Sequence, residues 1–177
     1  MVALHSQRKN IMSDVDLGDI TRDGAVVRVR LTRSFDHPPQ MVWAALTAPA
    51  RMVEWLAPGQ IALTLGGRAQ LNFVDSGIVI DSPVSAVVAG RLLEYSWSSP
   101  GEPERPVRWE LEAKSCGTRL TLTLTLPATE DIARSCAGWE AHLEMLAAAL
   151  EGVPIKFPFG RFLAVREAYN VALAEMA

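Results

Sequence analysis

The longest helical pattern in the chain spans residues 131–152, DIARSCAGWEAHLEMLAAALEG. Its apolar residues recur at steps of three and four and therefore share one face of a helix: Ile132, Cys136, Trp139, Leu143, Leu146 and Leu150. The three glutamates of this stretch fall on the opposite side: Glu140, Glu144 and Glu151. Thr129 is placed to cap the start of the helix. A helix of about 21 residues is about 32 Å long, so its apolar face needs a sheet of similar length to cover it.

Most of the chain before this helix shows the alternating pattern of half-buried strands. In Ala25–Phe35, valine and leucine alternate with arginine and threonine, and in Arg119–Leu126 four leucines alternate with three threonines. Five further strands are predicted between turns rich in glycine and proline, over residues 61–65, 68–74, 78–88, 91–98 and 107–113. Pro83 interrupts one of them and predicts either an edge position or a β-bulge.

Two short helices are predicted between the first and second strands, over Met41–Leu46 and Ala48–Leu56. One strand, two short helices, about six antiparallel strands and a long helix together predict an α+β architecture of two layers. A strongly twisted antiparallel sheet curls around its helix, which leaves space for a cavity between them. After the long helix, Gly160–Met176 predicts a second, shorter helix that packs on the same domain or forms a partner interface.

The length of 177 residues is that of one domain. Residues 1–22 are polar and without a clear period, which predicts a disordered or loosely attached tail. We expect the domain itself to span residues 23–152, and residues 153–177 to form a C-terminal extension with a short helix.

Charge and composition exclude several classes of protein. The net charge of −3 argues against a nucleic-acid partner. No apolar run approaches the length of a membrane span, and charges interrupt the N-terminal residues, so we expect no membrane insertion and a cytoplasmic location. Cys116 and Cys136 have no metal-ligand spacing and are predicted to be reduced thiols. No motif for a metal, a nucleotide or a nucleophilic serine occurs, so neither a metal nor a cofactor is expected.

Five stretches of the chain resemble one known family when they are taken in order: HPPQMVWAALTAPARMVEWL, GGRAQLNF, RLLEYSW, GTRLTLTL and GWEAHLEMLAAALEG. They resemble the START-like superfamily, also called helix-grip, Bet v 1-like or SRPBCC. Within it they are most similar to the family named after the activator of the Hsp90 ATPase, AHSA1-like. The resemblance covers Val27–Gly152 and implies a curved antiparallel sheet of about seven strands that wraps around the long C-terminal helix. It also implies a cavity for a lipid or another small molecule, and it does not imply Hsp90 binding.

The candidate site is this cavity between the sheet and the long helix. Its predicted lining consists of aromatic, aliphatic and histidine side chains on inward faces or at the short helices: Met52, Trp55, Phe73, Tyr95, Trp97, Trp109, Trp139, His142, Leu143 and Leu146. Their functional interpretation is an apolar ligand pocket with a few polar groups. The alternative for each of them is simple core packing, and for His142 a partly exposed position on the helix.

Three functions are compatible with these observations. The first is non-catalytic binding of a small hydrophobic or amphipathic molecule, lipid or polyketide-like, in the cavity. The second is a cyclase- or aromatase-like enzyme, in which His142, Tyr95 and Asp81 would have to converge within hydrogen-bonding distance to move protons. For Asp81 the alternative is an outward charge on an edge strand.

The third function is a protein-interaction or chaperone co-factor module. It would use an exposed apolar patch formed by Phe157, Phe159 and Phe162, and the C-terminal helix would then be the element through which a homodimer forms.

Overall fold

The computed structural model describes residues 16–176, which form one curved open sheet of eight antiparallel strands and four helices. The elements in chain order are β1 (Asp19–Asp23), β2 (Val26–Phe35), α1 (Pro39–Thr47), α2 (Pro49–Met52), β3 (Gly59–Ile61), β4 (Arg68–Phe73), β5 (Ile78–Val88), β6 (Leu92–Ser96), β7 (Pro106–Lys114), β8 (Gly117–Pro127), α3 (Ile132–Leu150) and α4 (Phe159–Glu175). The strands lie in the order β1-β2-β8-β7-β6-β5-β4-β3. The α+β, helix-grip architecture predicted from the sequence is confirmed.

The longest pairing in the sheet joins β2 and β8, whose alternating sequences place their apolar residues on the same inner face. Three cross-strand pairs join a buried residue of β2 to a buried leucine of β8: Val27 with Leu126, Val29 with Leu124, and Leu31 with Leu122. Opposed apolar side chains of this kind stabilise a sheet and fix its register, because a slip by one residue would turn the apolar set towards water. This inner face is what α3 covers.

Both ends of α3 are defined by hydrogen bonds. Asp131 accepts one from the backbone N–H of Arg134 at 2.9 Å, so Asp131 is the N-cap and the assignment to Thr129 was wrong. At the other end Gly152 adopts a left-handed backbone with φ of 75°. The N–H groups of Gly152 and Val153 donate to the last turn of the helix, and this Schellman arrangement stops α3 where the sequence predicted.

Three details differ from the sequence-based expectations, and at Pro83 the structure decides between two alternatives. Residues 19–22, which the predicted tail included, belong to β1, an eighth strand paired with β2; residues 1–15 of that tail lie outside the described residues. Pro83 belongs to an inner strand, and a bulge between Val84 and Ala86 explains it, so the edge alternative was wrong. The second short helix is only four residues long, and β3 precedes its predicted position by two residues.

The C-terminal helix α4 packs against α3 within the same chain. Its Val165 and Tyr169 are fully buried, which matches the first of the two alternatives given above for this helix. Homodimerisation through α4 stays a prediction. Both cysteines are free thiols, as expected.

A buried polar network holds α4 to α3. The Tyr169 hydroxyl donates to the carboxylate of Glu140 at 3.1 Å and accepts from the backbone N–H of Gly18 at 2.9 Å. The second oxygen of Glu140 pairs with the Arg33 guanidinium. Glu140 is only 2% exposed, because α4, Arg33 and the chain before β1 cover the side of the helix on which the sequence placed it.

Candidate functional site

The inner face of the sheet meets α3 through a set of aromatic rings centred on Trp139. The ring of Trp139 lies 4.7 Å from that of Trp97, 5.5 Å from that of Trp109 and 5.9 Å from that of His142, all in tilted or edge-to-face orientations. Edge-to-face contacts are favourable because the positive edge of one ring meets the negative face of the next. Trp97 directly follows β6, Trp109 belongs to β7 and His142 lies in the next turn of α3. Trp139 therefore connects the long helix to the sheet.

Two further rings complete what we call the aromatic cluster: Trp55, Phe73, Trp97, Trp109, Trp139 and His142. Trp55 contacts Trp109 at 5.9 Å, and Phe73 contacts Trp97 at 5.6 Å and His142 at 6.3 Å. The indole N–H of Trp55 donates to the Ala45 carbonyl at 2.8 Å, which anchors the short helices over the sheet. Trp55 and Trp109 are fully buried, whereas Phe73, Trp97 and His142 are half-buried. The cluster thus runs from the core to the surface.

His142 is the polar member of the cluster, and its hydrogen bond defines its tautomer. Nδ1 lies 3.0 Å from the carbonyl oxygen of Trp55. Because a carbonyl can only accept, Nδ1 carries the proton. Burial lowers the pKa of His142, against a smaller opposing effect of this hydrogen bond, so the ring is neutral at pH 7. Nε2 then carries a lone pair, and within residues 16–176 it receives no hydrogen bond.

The other two candidate proton-transfer groups are not joined to His142. Tyr95 is fully buried, and burial raises the pKa of its hydroxyl, with a hydrogen bond to Trp109 acting in the opposite direction. Asp81 lies on the outer face of the sheet, where it accepts from Arg68 Nε at 2.9 Å and Nη2 at 2.6 Å. No hydrogen bond links any two of His142, Tyr95 and Asp81. Asp81 does point outward, but β5 lies between β4 and β6, so it is not an edge-strand charge.

The remaining predicted lining residues form a layer beneath the cluster. Met52, Leu143 and Leu146 are all fully buried and belong to the same continuous core as Trp55 and Trp109. Two surface cavities occur elsewhere in the molecule. One, of about 280 Å³, lies where β1 meets the start of α3 and the end of α4, and one of about 370 Å³ borders β3, β4 and β5. Neither is lined by a residue of the aromatic cluster.

The sequence placed Phe157 in an exposed apolar patch and not in the ligand pocket, yet its ring lies 5.6 Å from that of His142 and 5.7 Å from that of Phe162. It sits in the connection between α3 and α4, which has no periodic pattern to indicate an inward side chain. Arg33 was also missed, although a signal existed. It occupies the inward phase of β2, two residues after Leu31, and an arginine in phase with an apolar face requires a buried carboxylate.

Within residues 16–176, no group of three or more His, Cys, Asp or Glu is arranged to bind a metal ion. None of the helices in that part of the chain is both long and apolar enough to span a membrane.

Residues 36–151 match the family model described as activator of Hsp90 ATPase homolog 1-like protein. The chain belongs to this family. The match includes α1 to β8 and all of α3, and it therefore contains every residue of the aromatic cluster. The START-like, SRPBCC resemblance seen in the sequence is confirmed. Phe157 and α4 lie beyond the matched residues.

Solved structures share the fold. CalU16 of Micromonospora echinospora is 24% identical with a TM-score of 0.72, over 88% of this chain and 94% of that one. The conserved protein of unknown function EF2215 of Enterococcus faecalis is 18% identical with a TM-score of 0.74, over 90% of this chain and 92% of that one. DynU16, a protein of the dynemicin biosynthetic locus, is 32% identical with a TM-score of 0.65, but this chain covers only 48% of it. No curated protein matches the chain.

Proposed function

We propose that this AHSA1-like domain is a non-catalytic binding protein for a small aromatic or amphipathic molecule held between the sheet and α3. The observation that carries the proposal is the aromatic cluster, which extends from the core to the surface and contains one hydrogen-bond acceptor, His142 Nε2. Apolar rings with a single convergent polar atom are the usual lining of a small-molecule site. Half-buried Phe73, Trp97 and His142 would form the part of the site that a ligand meets first.

The family supports a ligand-binding or cyclase-like domain, and the aromatic cluster directs the choice of ligand chemistry. Its edge-to-face ring contacts favour a ligand that carries aromatic rings over a saturated lipid. The lipid alternative is kept as a separate arm of the test below.

The arrangement of polar groups favours binding over catalysis. General acid–base catalysis on a bound substrate needs a group within hydrogen-bonding distance of each proton that moves. Asp81 is on the opposite face of the sheet from the cluster, paired with Arg68, and the Tyr95 hydroxyl is enclosed in the core. Of these three candidates, only His142 combines an unpaired nitrogen with a half-buried position. A single neutral histidine is sufficient to orient a ligand.

A thermal-shift screen of the full chain tests this function. One set of compounds would be planar aromatics of two to four rings, and a second set saturated fatty acids of matched mass. We expect aromatics to raise the melting temperature and to appear as bound mass in native mass spectrometry. Stabilisation by the fatty acids alone would redirect the proposal to lipids, and no bound compound from either set would refute it.

A pair of matched substitutions tests whether the ligand binds at the aromatic cluster. Trp97→Leu removes one half-buried ring of the cluster, while Trp43→Leu removes a half-buried ring of α1 that makes no ring contact with the cluster. We expect Trp97→Leu to weaken aromatic binding more than Trp43→Leu does. An equal effect of the two substitutions would place the ligand elsewhere.

A further inference from the structure

The connection between α3 and α4, residues 151–158, runs past the surface end of the aromatic cluster, and we call it the strap. Its residues 151–157 are exposed. The N–H groups of Gly152 and Val153 complete the cap of α3, and the Phe157 carbonyl accepts from Phe159 N–H at 2.9 Å. Among the described residues, none of the backbone N–H groups of residues 155–157 donates a hydrogen bond. A segment with so few hydrogen bonds opens at much lower free energy than the strands beneath it.

One side chain of the strap makes a ring contact with the aromatic cluster. Phe157 is 39% exposed, and its ring meets the edge of the His142 ring at 5.6 Å. His142 in turn contacts Phe73 and Trp139, so Phe157 joins the aromatic cluster to the rings of α4, through its own contact with Phe162 at 5.7 Å. Phe159, two residues further on, is 61% exposed and contacts Phe162 but not His142.

We propose that Phe157 occupies the position of an aromatic ring of the ligand, and that the ligand binds by displacing the strap from His142. The proposal rests on the ligand-binding function given above, and it adds the entrance, the closing residue and the chemistry of the ligand. A ring of the chain that covers the cluster keeps it from water when no ligand is bound. Removing the Phe157 ring should therefore strengthen the binding of a ligand and not weaken it.

His142 specifies which aromatic compounds fit. Its Nδ1–H is already used by the Trp55 carbonyl, so the nitrogen left for a ligand, Nε2, can only accept a hydrogen bond. A ligand hydroxyl donates to it, whereas an ether or a ketone in the same place leaves the nitrogen unpaired. The expected ligand class is a planar aromatic molecule with a phenolic or enolic hydroxyl next to the ring that replaces Phe157.

The test measures the binding of 2-naphthol and 2-methoxynaphthalene to the full-length chain by fluorescence, at equilibrium and by stopped flow. These probes have the same ring system and differ in the hydroxyl donor. The variants are Phe157→Ala and, as a matched control, Phe159→Ala. If the open strap is populated to about 10% or less, Phe157→Ala should bind 2-naphthol about tenfold more tightly than the wild type, mostly through faster association. Phe159→Ala should resemble the wild type.

The third variant, His142→Phe, keeps a ring in the cluster and removes the acceptor. The wild type should prefer 2-naphthol over 2-methoxynaphthalene by about five- to tenfold, the usual contribution of one hydrogen bond, and His142→Phe should lose that preference. Circular dichroism would verify that each variant is folded.

The outcomes separate the strap from the general function. Binding by the wild type with no difference between Phe157→Ala and Phe159→Ala refutes the strap and leaves the binding function standing. Binding by Phe157→Ala alone supports the strap in its most closed form. A preference for 2-naphthol that survives in His142→Phe overturns the role of His142. An absence of binding by every variant refutes the strap and the binding function together.

Discussion

The two sides of α3 solve the burial of polar atoms in opposite ways. On the side facing α4, the charged Glu140 is buried but completely paired, with the Tyr169 hydroxyl on one oxygen and, on the other, the Arg33 guanidinium, which reaches it from the inner face of β2. On the side facing the sheet, His142 is neutral, and one of its two ring nitrogens has no protein partner among the described residues. A network in which every polar atom is paired has no hydrogen-bonding group left for a ligand. An unpaired acceptor among aromatic rings can still accept a hydrogen bond from a ligand. We therefore assign a structural role to the outer side of α3, which faces α4, and ligand binding to the inner side, which faces the sheet.

The largest effect is expected from breaking the outer network. Glu140→Ala leaves the Arg33 guanidinium, which is largely buried, without its carboxylate. Removing one partner of a buried ion pair destabilises a protein by roughly 3–5 kcal/mol. Urea denaturation would measure this loss in the free energy of unfolding.

Glu144→Ala is the matched control for that measurement. Glu144 lies one turn further along α3, is 42% exposed and pairs with Arg161 at 2.8 Å, so its removal should cost less than about 1 kcal/mol. Equal losses for the two variants would show that Glu140 is not the buried anchor that the comparison requires.

A smaller effect is expected from Tyr169→Phe, which removes a hydroxyl that joins three parts of the chain. The Gly18 N–H loses its acceptor, and Glu140 loses one of its donors. An unsatisfied buried group costs about 1–3 kcal/mol. Hydrogen exchange should become faster at Gly18 and along β1. Tyr95→Phe, at the other tyrosine, should leave exchange in β1 unchanged, and faster exchange there in both variants would contradict the assignment.

The same comparison separates what the sequence could predict from what it could not. The residues of the inner side could be predicted from local periodicity. The alternation in β2 and β8 and the spacing of three and four residues in α3 indicate which side chains face inward. The outer side depends on partners far apart in the chain, since Arg33 and Glu140 are separated by 107 residues. The alternation of β2 shows that Arg33 lies on the apolar inner face, where an arginine is unexpected. No pattern near Arg33 identifies Glu140 as its partner.

Two features of the site were also beyond sequence reasoning. The tautomer of His142 depends on a carbonyl contributed by Trp55, 87 residues earlier, which no pattern around either residue indicates. The ring contact of Phe157 with His142 depends on where α4 docks, because the strap has no repeating pattern of its own. The aromatic members of the cluster were predictable because each lies on a periodic element or directly beside one.

His142, on the inner side of α3, predicts how the free energy of unfolding depends on pH. Burial holds the pKa of His142 below the value of about 6.5 that it has in the unfolded chain. As the pH falls below about 6.5, the unfolded state therefore takes up this proton before the folded state does, and the free energy of unfolding decreases. Well above pH 7, where neither state carries the proton, the group contributes no pH dependence.

His142→Phe removes that titration, so the difference in stability between the wild type and the variant should shift against the wild type between pH 7.5 and pH 5.5. Paired urea titrations at the two pH values measure it, and contributions from the titratable groups that the two proteins share cancel. A difference that does not change with pH would mean that His142 is equally protonated in the folded and unfolded states.

The smallest effect is expected at Asp81, on the outer face of the sheet. Asp81→Asn weakens an ion pair whose Arg68 side chain is half exposed, and such pairs contribute about 0–1 kcal/mol. We expect stability to change by less than that and the binding of 2-naphthol to stay within the error of measurement. The result matters because Asp81 was the one carboxylate proposed to join His142 in catalysis. A clear loss of binding without a loss of stability would move the site across the sheet, to the cavity of about 370 Å³ that Asp81 lines. An unchanged affinity leaves the inner side of α3 as the side on which a ligand is recognised.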